Sequence, residues 1–338
     1  MSEPAISVLM ITHNQGDLLP VAVRSMLDQT WRDLELVLVD NGATDGSVDR
    51  LAAEVGDPRL RIVRLPANTG IAAGLNHGVS HCRARLIALM DSDDISHPRR
   101  LELQLAVLAA EPELTGVSCD ARMIDTAGRP IGEWRSFHTP EDIRRYAAYN
   151  MPLHHPGMLM RREIAEQVPY RTEFELASDF DFMSRAVQHG RFASLPVLLY
   201  DYRRHPGSST VARETSSMIS RCVVRVAAAR RAAGRPESLD ELAPMAAAQE
   251  KAGLSLDRIY RDYAALCRRE GFGALACLHA ALAMREQPGL ANAVRYGWSL
   301  LRALIAEPSA LPAALHGLMK GPFWLLLKRR GFPAFPRY

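Results

Sequence analysis

The first hundred residues alternate short apolar runs with longer amphipathic segments. Residues 6–11, ISVLMI, are apolar and partly β-branched, and they end at the polar stretch THNQGD. Through residues 18–27 the apolar side chains then recur at the spacing of one helix face. This pattern predicts a strand, a loop and a helix in that order.

The same unit then repeats along the chain. Strands are predicted over residues 34–39, near 60–65 and over 86–90, with helices over 48–55 and 70–82 between them. Strands that alternate with helices of about a dozen residues indicate a mainly parallel, twisted sheet with helices on both faces. The predicted fold class is therefore α/β and Rossmann-like.

The second half of the chain has a different character. Between about residues 95 and 212 the pattern is less regular, and beyond residue 213 the sequence becomes rich in alanine, arginine and leucine with a helical spacing. We therefore predict one domain over residues 1–212 and a C-terminal α-helical region over residues 213–338.

Polar side chains stand where each predicted strand ends. Ligands of such sheets bind beyond the carboxyl ends of the strands, which meet at one edge. The polar residues that follow the four strands are Thr12, His13 and Asn14, then Asp40 and Asn41, then Asn68, and finally Asp91, Asp93 and Asp94. We expect one concave site at that edge.

Three carboxylates within four positions repel one another unless a cation or hydrogen-bond donors compensate. Asp91 and Asp93 point to the same side of an extended chain, about 7 Å apart, which leaves room for a hard divalent cation and phosphate oxygens. A simpler interpretation remains open, because Asp94 or Ser96 is also suited to cap a helix that begins near Pro98.

Composition limits the class of protein. The chain has 338 residues, 48% of them hydrophobic, and a net charge of +3, which gives no reason to expect nucleic-acid binding. Five cysteines without a CxxC pair favour a reducing compartment over a disulfide framework or a zinc site. With no basic and apolar leader and no long apolar span in the sequence, we expect a cytoplasmic location with membrane contact still open.

Several nucleotide-binding and hydrolytic motifs are missing from the sequence. The loop THNQGD lacks the GxGxxG of a dinucleotide site, and neither GxxxxGK[ST] nor GxSxG occurs anywhere in the chain. These patterns argue against Rossmann dinucleotide binding, P-loop chemistry and serine hydrolysis.

Four segments in order, SVLMITHN, VLVDNGATDGS, NTGIAAGLNHG and IALMDSDDISHPRRLELQ, resemble the family-2 glycosyltransferases. These are inverting enzymes with the GT-A fold that use nucleotide-diphosphate sugars, and the resemblance covers residues 5–212. It implies transfer of a sugar from a nucleotide-diphosphate donor, with UDP as the expected nucleotide, to a hydroxyl of a glycan or lipid-linked acceptor in surface polysaccharide biosynthesis. It also implies Mn²⁺ or Mg²⁺ as cofactor.

The resemblance also assigns roles to individual residues. Asp93 is implied as the main metal ligand with Asp91 beside it, and Asp179 in ELASDFDFMSRA falls on the position of the general base. Capping of a helix by Ser178 or Asp179 is the competing interpretation of that segment. The implied donor-binding residues are Thr12, Asn14, Asp40, Arg83, Asp91, Asp94, Arg203 and His205.

Thr12 and Asn14 are expected to line the nucleotide pocket, and Asp40 to accept a hydrogen bond from the base. Arg203 and His205 lie in YRRHPGSST, which resembles a flexible loop that folds over the diphosphate. His155 and Pro156 are implied on the acceptor side, although a role in loop shape alone is equally open.

Two questions stay open on sequence alone. Residues 320–338 combine Trp324, leucines and a basic run, which fits either peripheral contact with the inner face of the plasma membrane or a terminal helix packed on the protein. Two alternative functions are a sugar nucleotidylyltransferase and a non-catalytic scaffold that binds a sugar nucleotide. A nucleotidylyltransferase would have a glycine-rich basic loop after the first strand, which THNQGD does not supply.

Overall fold

The computed structural model describes residues 3–299 except 175, 206, 209–212, 288, 290 and 293. Its strands, in chain order, are β1 (Ile6–Thr12), β2 (Leu34–Asn41), β3 (Leu60–Leu65), β4 (Leu86–Asp91), β5 (Ile95–Ser96), β6 (Leu114–Ile124), β7 (Pro130–Trp134), β8 (Leu159–Arg161) and β9 (Arg191–Arg203). Its α-helices are α1 (Leu18–Leu27), α2 (Ser47–Glu54), α3 (Ile71–His81), α4 (Arg100–Ala110), α5 (Pro140–Tyr146), α6 (Arg162–Gln167), α7 (Ser178–Ala186), α8 (Glu214–Ala232), α9 (Leu239–Lys251), α10 (Leu256–Glu270) and α11 (Gly273–Glu286).

The nine strands form one sheet in the order β3-β2-β1-β4-β8-β6-β9-β5, with β7 added on β6. The half made of β3, β2, β1 and β4 is parallel throughout, as the sequence predicts. The other half is mixed, because β8 runs antiparallel to both β4 and β6, while β6 and β9 are parallel. Only residues 125–129 join β6 to β7, too few for the crossover that a parallel pair needs, so these two strands form a hairpin.

Alternating side chains of the parallel strands face opposite layers of helices. Ile6, Val8 and Met10 of β1 pack in the core that also contains Leu19 and Met26 of α1. The other face of the sheet is covered by α3. Since both faces are buried, β1 and β2 are apolar along almost their whole length, which is why they appear in the sequence as continuous runs and not as alternating ones.

Close packing of α3 on the sheet depends on a glycine. A Cβ atom placed on Gly78 would lie 2.2 Å from Leu9 Cδ1 and 3.0 Å from Val39 Cγ2, and both of these side chains belong to the buried face of the sheet. The glycine therefore lets the helix backbone approach β1 and β2.

The chain divides into two compact units, one of Met1–Ala147 with Met151–Ala212 and one of Ala148–Asn150 with Arg213–Tyr338. The first unit holds the whole sheet. The second contains α8 to α11, and Arg225 of α8 donates from Nε to the carbonyl oxygen of Tyr149 at 2.8 Å, which ties the short segment 148–150 to this unit.

Within the second unit, α10 and α11 pack on each other as a helical hairpin that turns at Gly271. The φ of Gly271 is +83°, in the left-handed region that glycine commonly adopts at the end of a helix. Tyr260 and Tyr263 of α10 and Leu278 of α11 are buried there. No helix among the described residues is long and apolar enough to cross a bilayer. The predicted membrane-contact segment, 320–338, lies outside the described residues.

We expect Gly78→Ala to destabilise the fold by about 1–3 kcal/mol, because overpacking a tight core contact costs more than the helix propensity that alanine gains. Urea unfolding monitored by circular dichroism measures the change. Gly56→Ala is the matched control, since a Cβ there meets nothing within 4 Å. Equal stability of the two variants would contradict the packing role of Gly78.

Candidate active site

The acidic cluster lies at the carboxyl end of β4. Asp91 is the last residue of that strand and stands opposite Ile11 of β1, and Thr12 of β1 stands opposite Asp40 of β2. One carboxylate oxygen from each of Asp91, Asp93 and Asp94 lies within 4.8 Å of the others. The parallel register therefore brings the strand-end residues to one edge, where the sequence places them.

Neither of the capping interpretations of this segment holds. The helix α4 begins at Arg100 after Arg99, and no side chain caps it, so Asp94 and Ser96 do not perform that role. Asp94 is buried and its Oδ1 accepts a hydrogen bond from the backbone N–H of Arg203 at 2.6 Å.

Two acids of the cluster, Asp91 and Asp94, have raised pKa values. Asp91 is exposed at the end of β4. Desolvation by the neighbouring protein, together with the charges of Asp93 and Asp179, raises the pKa of Asp91 to about 8. Burial, with the charges of Asp93 and Asp91, raises the pKa of Asp94 well above its usual range. The cluster therefore favours any partner that supplies positive charge.

The last strand of the sheet holds this cluster in place. Arg203, at the end of β9, donates from Nε to the carbonyl oxygen of Asp93 at 2.9 Å. Tyr200 of the same strand accepts at its hydroxyl from the backbone N–H of Asp91 at 3.1 Å. Tyr200 is a site residue that the sequence analysis missed, since an aromatic residue in an apolar strand gives no signal of which backbone group it contacts.

The structure corrects the expectation for Arg203. This residue is part of β9 and is buried, not in a flexible loop, and its Nη1 donates to the carbonyl oxygens of Asp125 and Thr126 at 3.2 and 3.1 Å. Its guanidinium thus holds backbone around the acidic cluster. His205, two residues on, does reach the cluster, with Nε2 at 2.9 Å from Oδ2 of Asp93.

Asp179 lies in the first turn of α7, close to the acidic cluster. Its charge is among the causes that raise the pKa of Asp91. Burial lowers the pKa of His155 to about 4, and the charge of Asp179 acts against that lowering. The N-cap residue of α7 is Ala177, so neither Ser178 nor Asp179 occupies the N-cap position. Asp179 nevertheless accepts at Oδ1 from the backbone N–H of Phe180 at 2.7 Å, so one of its oxygens binds an N–H of the first turn.

The neighbouring acid of that helix has a different environment. Asp181 is buried, and its carboxylate is held by the guanidinium groups of Arg171 and Arg185, the latter at 2.7 Å. Both oxygens of this carboxylate are held by guanidinium groups, so it is not free to contact a substrate.

The residues predicted around the nucleotide shape the loops at this edge. Thr12 is buried, and its hydroxyl has no hydrogen-bond partner among the residues that the structure describes. Asn14, at φ +56°, accepts at Oδ1 from the backbone N–H of Thr44 at 2.8 Å. Asp40 accepts from the N–H of Ala43 at 2.8 Å and from Arg64 Nη1 at 3.1 Å.

Asn41 organises a third loop. Its Oδ1 accepts from both the N–H and the hydroxyl of Thr69 at 3.0 Å, and its Nδ2 donates to Asn68 and to the carbonyl of Gly70 at 3.1 Å. The amide can both accept and donate, which a second carboxylate at this position could not do.

Arg83 is the one predicted donor-binding residue that the structure places elsewhere. It precedes β4, and its Nε donates to Oε2 of Glu35 at 2.8 Å, near the start of β2. Parallel strands put their starts at one edge and their ends at the other, so Arg83 lies at the edge opposite the acidic cluster. The expectation that it approaches the base or diphosphate is wrong.

The donor set at the cluster fits a hard divalent cation. All three ligand candidates are carboxylates, and Oδ2 of Asp94 is a buried oxygen that has no hydrogen-bond partner among the described residues. Oxygen ligands and negative charge are what Mg²⁺ and Mn²⁺ require.

Comparisons with known proteins agree with this geometry. Residues 7–168 match the family described as Glycosyl transferase family 2. An uncharacterized glycosyltransferase of Haemophilus influenzae is 25% identical over 214 residues, 60% of this chain and 66% of that protein. The O-antigen biosynthesis glycosyltransferase WbnJ of Escherichia coli is 29% identical over 213 residues, 60% of this chain and 81% of that protein.

Two solved structures share the fold. TarS of S. aureus, residues 1–349 in complex with UDP, superposes with a TM-score of 0.55 at 15% identity, over 92% of this chain and 91% of that one. The mannosyltransferase PcManGT from Pyrobaculum calidifontis, in complex with GDP-Man and Mn²⁺, gives 0.53 at 19% identity, over 95% and 88%.

The mixed sheet and its acidic edge therefore define a GT-A glycosyltransferase fold, as the sequence predicts. Residues 7–168 match glycosyltransferase family 2, which confirms the resemblance over that part of the chain.

We expect Asp91→Asn to stabilise the protein at pH 8 in the presence of EDTA. The pKa of Asp91 is raised in the folded state, so its ionisation opposes folding, and this cost grows as the pH rises from about 4 to about 8. Solvent screens an exposed carboxylate, so the gain in unfolding free energy should be about 1 kcal/mol at most.

Urea unfolding at pH 5 and pH 8 tests this expectation, with the larger gain at pH 8. Asp33→Asn is the control, because Asp33 is exposed and outside the cluster. A loss of stability in Asp91→Asn at pH 8 would show that the three carboxylates do not oppose folding.

Proposed function

We propose that this protein is an inverting glycosyltransferase. It transfers a hexose or related sugar from a nucleotide diphosphate to a hydroxyl group of a glycan or lipid-linked acceptor. UDP is the nucleotide proposed for the donor. The observation that carries this proposal is the acidic cluster of Asp91, Asp93 and Asp94 with one further carboxylate, Asp179, beside it at the open edge of a GT-A sheet.

The acidic cluster is proposed to bind the diphosphate end of the donor through Mn²⁺ or Mg²⁺. Asp93 and Asp91 would hold the ion and Asp94 would lie next to it, with His205 against Asp93. When bound, the ion would neutralise charge on the diphosphate leaving group. The mannosyltransferase PcManGT shares the fold and was solved with GDP-Man and Mn²⁺, which supports a divalent ion here.

Asp179 is proposed as the general base. The acceptor hydroxyl gives its proton to this carboxylate while its oxygen attacks the anomeric carbon, and the bond from that carbon to the diphosphate breaks. A single displacement of this kind inverts the anomeric configuration. Asp181 is excluded from the role by its two arginine partners, so Asp179 is the acid of α7 that faces the cluster.

The nucleotide is proposed to lie over the ends of β1 and β2. Thr12 and Asn14 would line its pocket, and Asp40 would accept from the base, since each of its oxygens retains a lone pair beside its present partner. TarS was solved with UDP and PcManGT with GDP-Man, so the base is the first property that an experiment should establish.

The biological role is proposed from the relatives. One of them, WbnJ, acts in O-antigen biosynthesis, which suggests a polysaccharide of the cell surface as the product. Such a role fits a cytoplasmic protein that contacts the inner face of the plasma membrane, and residues 320–338 remain the predicted contact.

Asp179→Asn should abolish transfer while donor binding is retained, because the amide keeps the shape of the carboxylate but accepts no proton at neutral pH. General-base contributions of about 10²–10⁴-fold set the expected loss of kcat. The rate of donor hydrolysis is measured by the release of UDP or GDP, and donor binding is measured by thermal stabilisation of the protein. Asp181→Asn is a poor control because it breaks the arginine pairs, so Asp33→Asn serves instead. Unchanged turnover in Asp179→Asn would remove it from the base role.

Asp93→Ala should weaken metal-dependent donor binding by at least tenfold. Thermal stabilisation by UDP-glucose, UDP-GlcNAc and GDP-mannose, with Mn²⁺ and with EDTA, identifies the nucleotide and shows the metal requirement together. Arg83→Gln, at the opposite edge of the sheet, should bind donor like the unaltered protein in the presence of Mn²⁺. Donor binding without any hydrolysis, with and without Mn²⁺, would favour a non-catalytic scaffold over an enzyme.

A further inference from the structure

A basic recess lies in the second unit, away from the acidic cluster. It has a volume of about 200 Å³ and is enclosed by α10, α11 and the residues just after α11. Its charged lining consists of four arginines and one acid, namely Arg258, Arg261, Arg268, Arg295 and Asp262.

The positions of these arginines follow from helix geometry. Along α10, Arg261 follows Arg258 by three residues and Arg268 follows Arg258 by ten. At 3.6 residues per turn these spacings place all three arginines on one side of the helix. Alanines 264 and 265 of α10 and 280 and 283 of α11 line the wall between them. Their short side chains leave the space open, where larger residues would fill it.

The charges of the recess are only partly balanced. Arg258 contacts Asp262 at 3.3 Å, and Arg261 contacts Asp257. By contrast, Arg295 donates to Oδ1 of Asn292 at 3.1 Å. A neutral oxygen does not offset the charge of the Arg295 guanidinium, so this arginine adds positive charge to the recess.

We propose that this recess is a binding site for a phosphate monoester. The planar guanidinium donates two parallel hydrogen bonds to a tetrahedral oxyanion, and several arginines around one small cavity are suited to a dianion. A volume of about 200 Å³ takes the phosphate group with part of a small organic residue, but no extended polymer. The site uses no residue of the acidic cluster and does not depend on the transferase proposal.

Two sources of the same chemistry fit the recess. One is a sugar phosphate in solution, and the other is the phosphate headgroup of a lipid at a membrane surface. The enclosed walls favour the soluble ester, because a headgroup would have to bring its acyl chains close to the arginines.

Isothermal titration of the full-length protein with glucose 1-phosphate tests the proposal. EDTA in the buffer removes the divalent ion that the proposed donor site requires. We expect saturable binding at one site, weakened about tenfold by Arg295→Gln and by Arg261→Gln, since each loses a charge-assisted hydrogen bond. Arg269→Gln removes the same charge from an exposed position of α10 outside the recess and should change the affinity less than twofold.

Ala265→Leu provides a second test, because it fills the recess without changing charge and leaves the ion pair of Arg261 with Asp257 intact. It should also weaken binding about tenfold, and Arg261→Lys should restore part of what Arg261→Gln loses. Absence of saturable binding at 10 mM ligand, or equal losses in Arg269→Gln and Arg295→Gln, would overturn the proposal.

Asp93→Ala separates this site from the proposed donor site. Retained binding of glucose 1-phosphate in that variant supports the recess as the site, and lost binding would assign the ligand to the acidic cluster and overturn the proposal. Sedimentation with phosphatidic acid vesicles, compared with phosphatidylcholine vesicles, distinguishes the lipid source. Arginine-dependent binding to the vesicles without binding of glucose 1-phosphate would contradict the soluble ester.

Discussion

Mutual repulsion among Asp91, Asp93 and Asp94 is the constraint on which the site depends. Their oxygens lie within 4.8 Å of one another, and Asp94 is buried with one oxygen that has no hydrogen-bond partner among the described residues. Such a group opposes folding unless the surrounding structure holds it in place, and it attracts any cation small enough to enter. The same feature therefore costs stability and makes the edge of the sheet attractive to a cation.

The rest of the first unit can be understood as the frame for that cluster. Strand β9 supplies Tyr200 and Arg203, which bond the backbone of Asp91 and Asp93 and the carboxylate of Asp94. Asn14 and Asn41 fix the neighbouring loops by bonding backbone groups across the edge. A rigid edge of this kind positions groups without paying for their ordering at each catalytic cycle.

The second unit follows a different physical rule. Its helices pack through buried tyrosines, alanines and leucines, and its polar chemistry lies in ion pairs of arginine with glutamate and aspartate, such as Arg230 with Glu270. In the recess of α10 and α11, Arg295 instead donates to a neutral amide oxygen, that of Asn292. This local difference from the paired charges of an ordinary helical surface supports the proposed phosphate site.

The sequence alone determined the parallel half of the sheet and the place of the acids in it, because local periodicity and strand ends are written in consecutive residues. The position of Asp179 in the first turn of a helix was equally accessible. Tertiary structure alone decided that β8 runs antiparallel to its neighbours, that Arg203 holds backbone while Arg83 pairs with Glu35 at the far edge, and that Tyr200 supports Asp91. The hydrogen bonds of Arg83, Tyr200 and Arg203 named here join residues between 48 and 110 positions apart, and no local pattern specifies which distant partner a buried hydrogen-bonding group will find.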